Sequence, residues 1–238
     1  TDIQPDSTLP NNTQVNQNGN IVEITGGTSS GSNLFHSFNS FSVGTGDTAS
    51  FQNINGNIQD VFSRVTGSSI SNIDGMIQVL NSNANLYLIN PNGIVFGENA
   101  SLNIGGSFFA TTADSILFED NVAFSASDPT TPLLTTSIPI GANFRDNPGD
   151  IINRSFAQND VGDFAGLEVE TGKNLTLLGG NLNFEAGKAT ARGGNVYLGG
   201  LAQAGIVDLN EDGSLSFPQD VTLANISLTN DAGVDVRS

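Results

Sequence analysis

Few residues in this chain could do acid–base or metal chemistry. Asp208, Glu211 and Asp212 fall together in "VDLNEDG", Asp231 and Asp235 lie four apart, and His36, the only histidine, sits in "LFHSF". Clustered carboxylates beside a basic group could hold a cation, abstract a proton or cleave a glycosidic bond. The basic group is wanting, because Lys173 and Lys188 are the only lysines. The carboxylates do not follow the ligand spacing of an EF-hand loop. His36 has no second histidine for a metal pair, and no Gly-x-Ser-x-Gly surrounds a serine. These residues read as solvated loop carboxylates and a packed or hydrogen-bonded histidine, so no catalytic residue, metal ligand or cofactor is expected.

A second stretch is more specific. "NLYLINPNGIVFG", Asn85 to Gly97, holds Asn90-Pro91-Asn92-Gly93 followed by Ile94. This order fits a type I turn: Asn at the first position, Pro supplying a fixed φ at the second, Asn at the third and Gly at the exit. Strand-like residues flank it on both sides. The turn is therefore a corner between two short strands, and its residues are candidates either for shaping that corner or for being read by a partner.

Composition sets the elements that must carry these residues. Of 238 residues, 37% are hydrophobic and only 13% charged, with 28 Gly, no Trp and no Cys. Asn and Ser replace the Lys and Glu of ordinary helical surfaces, so helices should be scarce. The absence of cysteine removes disulfides and thiolate chemistry, and suits a chain that crosses an oxidising compartment unfolded. With 24 acidic against 7 basic residues, the net charge is −17. Nucleic acid and anionic membrane surfaces are excluded as partners by repulsion. No apolar run approaches the ~18 residues of a membrane span, and "TDIQPDSTLP" has no leader-like basic and apolar regions. A soluble chain is expected, its signal peptide already removed if it was exported.

Sliding the sequence against itself reveals order at 22 residues. Val43, Val65, Tyr87 and Phe109 fall in one column, Phe51, Ile73, Val95 and Leu117 in a second, and Ile58, Leu80, Leu102 and Phe124 in a third. At this apolar content chance gives about 0.4 such columns. Three columns spaced around one repeat imply an all-β, right-handed parallel β-helix: a three-faced solenoid whose coils stack at ~4.8 Å around an apolar interior. Residues 43–118 are the expected coils. Residues 119–160, with Pro129, Pro132, Pro139 and Pro148, cannot sit inside a hydrogen-bonded ladder and form an expected extra-helical excursion. From 161 to 238 the coils continue, Leu175, Leu177 and Gly179 matching Val196, Leu198 and Gly200 at 21 residues. Residues 1–42 escape the columns and are the expected N-terminal cap. The last coil has no evident cap of its own, as expected of the front of a longer solenoid.

"GSNLFHSFNSFSV" (Gly31 to Val43), "NLYLINPNGIVFGENASLNIGGSFFATTA" (Asn85 to Ala113) and "GKNLTLLGG" (Gly172 to Gly180) resemble, in order and spacing, the filamentous haemagglutinin N-terminal (haemagglutination activity) domain, in a cyanobacterial-like version. This is the secretion domain of two-partner secretion exoproteins, and the resemblance covers nearly the whole chain. It implies a pectin-lyase-like β-helix with an N-terminal cap and extra-helical β elements. It also implies a role: export through Sec and the periplasm, recognition by the POTRA domains of an outer-membrane β-barrel transporter, and display of a C-terminal passenger at the cell surface of a Gram-negative-type bacterium. Folding at the surface would help drive the transfer. Asn90, Pro91, Asn92, Gly93 and Ile94 become the expected transporter-recognition turn, and Leu34, Phe35, His36 and Phe38 an expected cap motif. Some members carry an earlier Asn-Pro-Asn motif; here "SFQNINGNIQD" has the asparagines without the proline.

Two other functions suit the same fold. One is an adhesin module that binds glycans or cells directly. The other is a polysaccharide lyase or hydrolase, for which the fold alone is no evidence.

Overall fold

A computed structural model describes residues 1–130 and 135–238 of the chain. Pro132, one of the prolines of the expected excursion, lies outside the described residues. Short runs of Val, Ile, Leu and Phe, separated by Asn and Gly, build strands and no helix among these residues. The separators act through φ: five of the seven non-glycine residues in the left-handed region are Asn53, Asn81, Asn121, Asn147 and Asn230. Asparagine tolerates that region because its side chain bonds locally.

Four strands open the fold: β1 (Asp2–Pro5), β2 (Thr13–Asn18), β3 (Ile21–Gly26) and β4 (Thr28–Ser30). After them the chain winds through β5 (Asn33–Ser42), β6 (Thr48–Phe51), β7 (Asp60–Val65), β8 (Ser71–Ile73), β9 (Met76–Val79), β10 (Asn85–Ile89), β11 (Ile94–Phe96), β12 (Ser101–Asn103) and β13 (Phe108–Thr111). It then leaves the spiral for β14 (Ser115–Phe118), β15 (Ala123–Ser125) and β16 (Pro139–Phe144). Winding resumes with β17 (Ile151–Asn153), β18 (Leu167–Glu168), β19 (Leu175–Gly179), β20 (Leu182–Glu185), β21 (Lys188–Thr190) and β22 (Val196–Gly200). A second departure, β23 (Gly205–Leu209) and β24 (Leu215–Ser216), precedes β25 (Ile226–Thr229) and β26 (Gly233–Asp235).

The parallel ladders define three faces. The first stacks β5, β7, β10, β13, β19 and β22; the second stacks β8, β11, β17, β20 and β25. The third stacks β3, β6, β9 and β12, and a separate ladder of β18, β21 and β26 follows it. This is a three-faced parallel β-helix, as the sequence predicts. Its upper rim is closed by antiparallel strands, β1 and β4 on β5 and β2 on β3. These pairings satisfy edge groups that would otherwise recruit another strand. Within residues 1–42, β3 and β5 already belong to the parallel faces.

The fixed 22-residue period does not survive. Along the first face, Phe35, Phe62, Tyr87, Phe109, Thr176 and Tyr197 are in register, at intervals of 27, 25, 22, 67 and 21 residues. The coils shorten because the turn from third to first face shrinks from Gln52–Gln59 to Leu80–Ala84 to Ile104–Ser107. A constant offset therefore mixes faces. Val43, Phe51, Val65 and Ile73 do point inward, buried to 1% exposure or less. Leu80, Val95 and Leu102 are only half-buried. On β11 it is Ile94 and Phe96 that fill the interior, each 0% exposed, with Val95 between them facing out.

Tyr87, Phe109 and Phe124 miss the interior for another reason: a second core lies outside the spiral. Leu117, between Ile116 and Phe118 on β14, is half-buried and belongs to neither core. The two departures combine into one antiparallel sheet, in the order β15-β14-β16-β23-β24, that lies over the outer surface of the first face. Phe35 and Phe62 on the β-helix, and Phe118, Phe124, Ala142, Phe144 and Val207 on this lid, are buried together. An aromatic stack climbs the first face beneath it, Phe35 to Phe62 at 5.3 Å, Phe62 to Tyr87 at 4.6 Å and Tyr87 to Phe109 at 5.2 Å between ring centroids. The Pro-rich stretch 119–160 thus supplies β15 and β16, while β17 within it is already back in the second face. Residues 205–216, expected as a further coil, lie in the lid.

Candidate functional site

The Asn-Pro-Asn-Gly corner joins the first and second faces between β10 and β11. Gly93 N–H donates to the Asn90 carbonyl at 3.2 Å, and neither Pro91 nor Asn92 has positive φ. That is the hydrogen bond and backbone of the predicted type I turn. Asn92 N–H donates to Asn90 Oδ1 at 3.0 Å, an Asx turn nested inside it. Gly93 takes φ +129°, a conformation side chains resist.

The corner is fastened to the coils above and below. Asn90 Nδ2 donates to the Ser69 carbonyl at 3.0 Å and to Ser71 Oγ at 2.9 Å, and Asn92 Nδ2 donates to the Gly67 carbonyl at 2.8 Å. On the other side Asn90 N–H reaches the Thr111 carbonyl, Gly149 N–H reaches the Pro91 carbonyl and Ile94 N–H reaches the Asp150 carbonyl, at 3.0, 3.2 and 3.1 Å. The contact with the lower coil is tight enough that a Cβ on Gly149 would stand 2.6 Å from Asn92 C and Gly93 N. Asn90 and Ile94 are 0% exposed, whereas Asn92 is exposed and Pro91 half-buried. Ser68, Ser69, Ile70, Asn147 and Asp150 are exposed on the turns stacked above and below. The first departure also leaves and rejoins the spiral here, from β13 to β17.

The four residues of the expected cap motif lie on β5 and divide between the two cores. Leu34 and Phe38 face the interior, and Phe35 faces the lid. His36 is 1% exposed, its Nδ1 3.1 Å from Thr13 Oγ1 and its ring against Phe38 and Phe51. Burial lowers its pKa to about 3, so the ring is neutral at ordinary pH. The carboxylates do not assemble. Asp208 is on β23, Asp212 caps the β23–β24 turn by accepting from Ser214 N–H and Oγ, and Asp235 pairs with Arg237 at 2.8 Å. No group of three potential metal ligands occurs among the described residues.

Arg64, a residue the sequence reading passed over, ties three parts together. It is 0% exposed on β7. Its guanidinium donates to Ser37 Oγ on β5 at 2.9 Å, to Thr8 Oγ1 in the rim at 2.8 Å and to the Ser125 carbonyl on the lid at 2.6 Å, and it lies 4.4 Å above the Phe124 ring. Ser37 and Thr8 pass the interaction on, donating in turn to the two oxygens of Asp6 at 2.7 and 2.8 Å. Thr66 Oγ1 adds a third donor at 2.6 Å. Burial opposes ionisation of Asp6, but these hydrogen bonds hold its pKa below the ordinary carboxylate value. Burial lowers the Arg64 pKa to about 10, which leaves it charged. The sequence carries no signal for it: an arginine in "DVFSRV" is ordinarily expected to face solvent, and its partners Thr8, Ser37 and Ser125 lie tens of residues away.

Comparison with known proteins places this architecture. A family model described as the TPS secretion domain matches residues 1–238. The chain belongs to the TPS secretion domain family. Members are the secretion domains of two-partner exoproteins, which are delivered to the cell surface of Gram-negative bacteria. Among solved structures, the chain is similar in fold to the HMW1 secretion domain from Haemophilus influenzae, with 21% identity, TM-score 0.57, and coverage of 95% of this chain and 50% of that one. It is likewise similar to a filamentous hemagglutinin secretion domain, with 17% identity, TM-score 0.59, and coverage of 98% and 76%. A heme/hemopexin-binding protein of Haemophilus influenzae is 34% identical over 84 residues, which are 35% of this chain but only 9% of that relative. The family is one of exoprotein secretion domains and is not known as enzymatic, and a two-partner transporter is the partner it implies.

Proposed function

We propose that the chain is the part of an exoprotein bound by the POTRA domains of its outer-membrane transporter, after Sec-dependent entry into the periplasm, and that its β-helix then nucleates folding at the cell surface. The observation that carries this reading is the unequal exposure of the Asn90–Ile94 corner. Asn90, Gly93 and Ile94 are buried and bonded between coils, so a partner reaches them only before the corner closes. Asn92, Pro91 and Ile70 stay reachable afterwards. An extended segment pairing with a POTRA sheet edge would hold the corner open, and release would let Asn90 bond to Ser69 and Ser71. The strong negative charge favours a partner surface that is basic.

The test is secretion through the cognate transporter, measured beside the melting temperature of the purified variants. Asn90→Ala is expected to lower both. Asn92→Ala is expected to lower secretion with a smaller loss of stability. Secretion of both variants at the parental level would overturn the reading.

A groove of about 460 Å³ between the first face and the β23–β24 turn supports a second reading, glycan adhesion. Its walls include Tyr87, Phe109, Asn85 and Asn174, an aromatic platform with amide groups. A glycan array probed with the purified chain decides this, and no binding removes it.

A further inference from the structure

Three Asn-Gly pairs occur in the chain, Asn18-Gly19, Asn55-Gly56 and Asn92-Gly93. Such pairs undergo a spontaneous reaction. The glycine amide nitrogen loses its proton and attacks the asparagine Cγ, the new N–Cγ bond closes a five-membered succinimide, and the Cγ–Nδ2 bond breaks to release ammonia. Water then opens either C–N bond of the ring, leaving aspartate or isoaspartate. The reaction needs a free glycine N–H and an asparagine amide that can swing onto it.

The fold treats the pairs differently. Asn55 and Gly56 are exposed, a Cβ on Gly56 would meet nothing, and among the described residues no hydrogen bond engages the Gly56 N–H or the Asn55 side chain. At the corner the nucleophile is occupied, because Gly93 N–H donates to the Asn90 carbonyl. The electrophile is pinned too, its Nδ2 donating to the Gly67 carbonyl and to Asn90 Oδ1 at 2.8 and 2.9 Å. Asn90 is spared by chemistry, since Pro91 has no N–H to attack with.

We propose that Asn92-Gly93 is a modification site of the unfolded chain alone: the closed corner blocks succinimide formation, and a chain converted at Asn92 before folding cannot close the corner. Aspartate at 92 would set a carboxylate against the Gly67 carbonyl and Asn90 Oδ1, two acceptors that now receive a donor. Isoaspartate would lengthen a backbone against which Gly149 leaves no space for even one carbon. The corner's integrity then records how long the chain waited unfolded, whichever partner reads it.

The full chain is incubated in mildly alkaline buffer, folded or unfolded in guanidinium, and amide loss at each asparagine is followed by peptide mass spectrometry. In the unfolded chain Asn55 and Asn92 are expected to convert at similar rates. In the folded chain Asn92 is expected to lag about tenfold for each 1.4 kcal/mol of local opening free energy. On refolding, chains converted at Asn92 should be depleted from the folded fraction and chains converted at Asn55 should not. Asn92→Asp and Asn55→Asp variants give the same comparison without the reaction. Equal rates at Asn55 and Asn92 in the folded chain, or parental refolding and melting of Asn92→Asp, would overturn the proposal.

Discussion

His36 and Arg64 show how single buried polar groups set the conditions under which this fold holds. His36 is neutral in the folded chain down to about pH 3, whereas the unfolded chain takes up a proton below the ordinary histidine value of 6.5. The unfolded state therefore binds more protons in that window, and stability falls as pH drops from 6.5 toward 3, by up to about 4 kcal/mol. The depressed carboxylates Asp6 and Asp74 lose their contribution only below 3.8, and Asp60, raised by burial, acts in the opposite sense. His36→Gln should therefore flatten the pH dependence of the melting temperature between pH 4 and 6.5, and a parallel curve would refute this account. For Arg64, truncation strands Thr8, Ser37 and Asp6 together. Arg64→Leu is expected to cost about 3 kcal/mol in denaturant titration. Adding Asp6→Asn should recover part of that loss, because the pair is coupled through the two hydroxyls.

Strand β11 carries the argument at the scale of the element. Ile94 and Val95 are neighbours of similar size and β-propensity, and only the pleat decides which one is inside. Ile94→Asp puts a carboxylate into the β-helix interior and is expected to abolish folding, while Val95→Asp should shift the melting temperature little, since Val95 faces outward. The fixed 22-residue columns predict the reverse, so circular dichroism melts of the two variants decide between them. The first face gives a second test. Its strand β7 is buried on both sides, so Phe62→Ala, though outside the spiral, is expected to cost about 3–5 kcal/mol, as much as an interior position.

Across the whole molecule, stability should follow the double covering of the first face. Strands β7, β10 and β13 lie between the interior and the lid, whereas no ladder joins β12 to β18 across the third face, and β26 pairs on one side only. Amide hydrogen exchange is therefore expected to be slowest in β7, β10 and β13 and fastest in β12, β18 and β26. Uniform protection around the coil would contradict a lid that contributes to the core. The lid also joins distant parts of the sequence, because β16 of the first departure pairs with β23 of the second. It is complete only after most of the chain has been wound.

What the sequence determined by itself were features written in neighbouring residues. Alternating short apolar runs and left-handed asparagines specify strands and tight turns. Asn90-Pro91-Asn92-Gly93 specifies its own turn through a fixed proline φ and an Asx bond, and the match between Leu175–Gly179 and Val196–Gly200 gives their true register. The tertiary structure alone decided which core each apolar residue enters. Where a strand such as β7 is buried on both faces, alternation no longer separates inside from outside, and where turns differ in length a constant period slips from one face to the next. The lid, the Arg64 bridge and the split burial of the corner depend on residues tens of positions apart, whose contacts arise only once the coils have stacked.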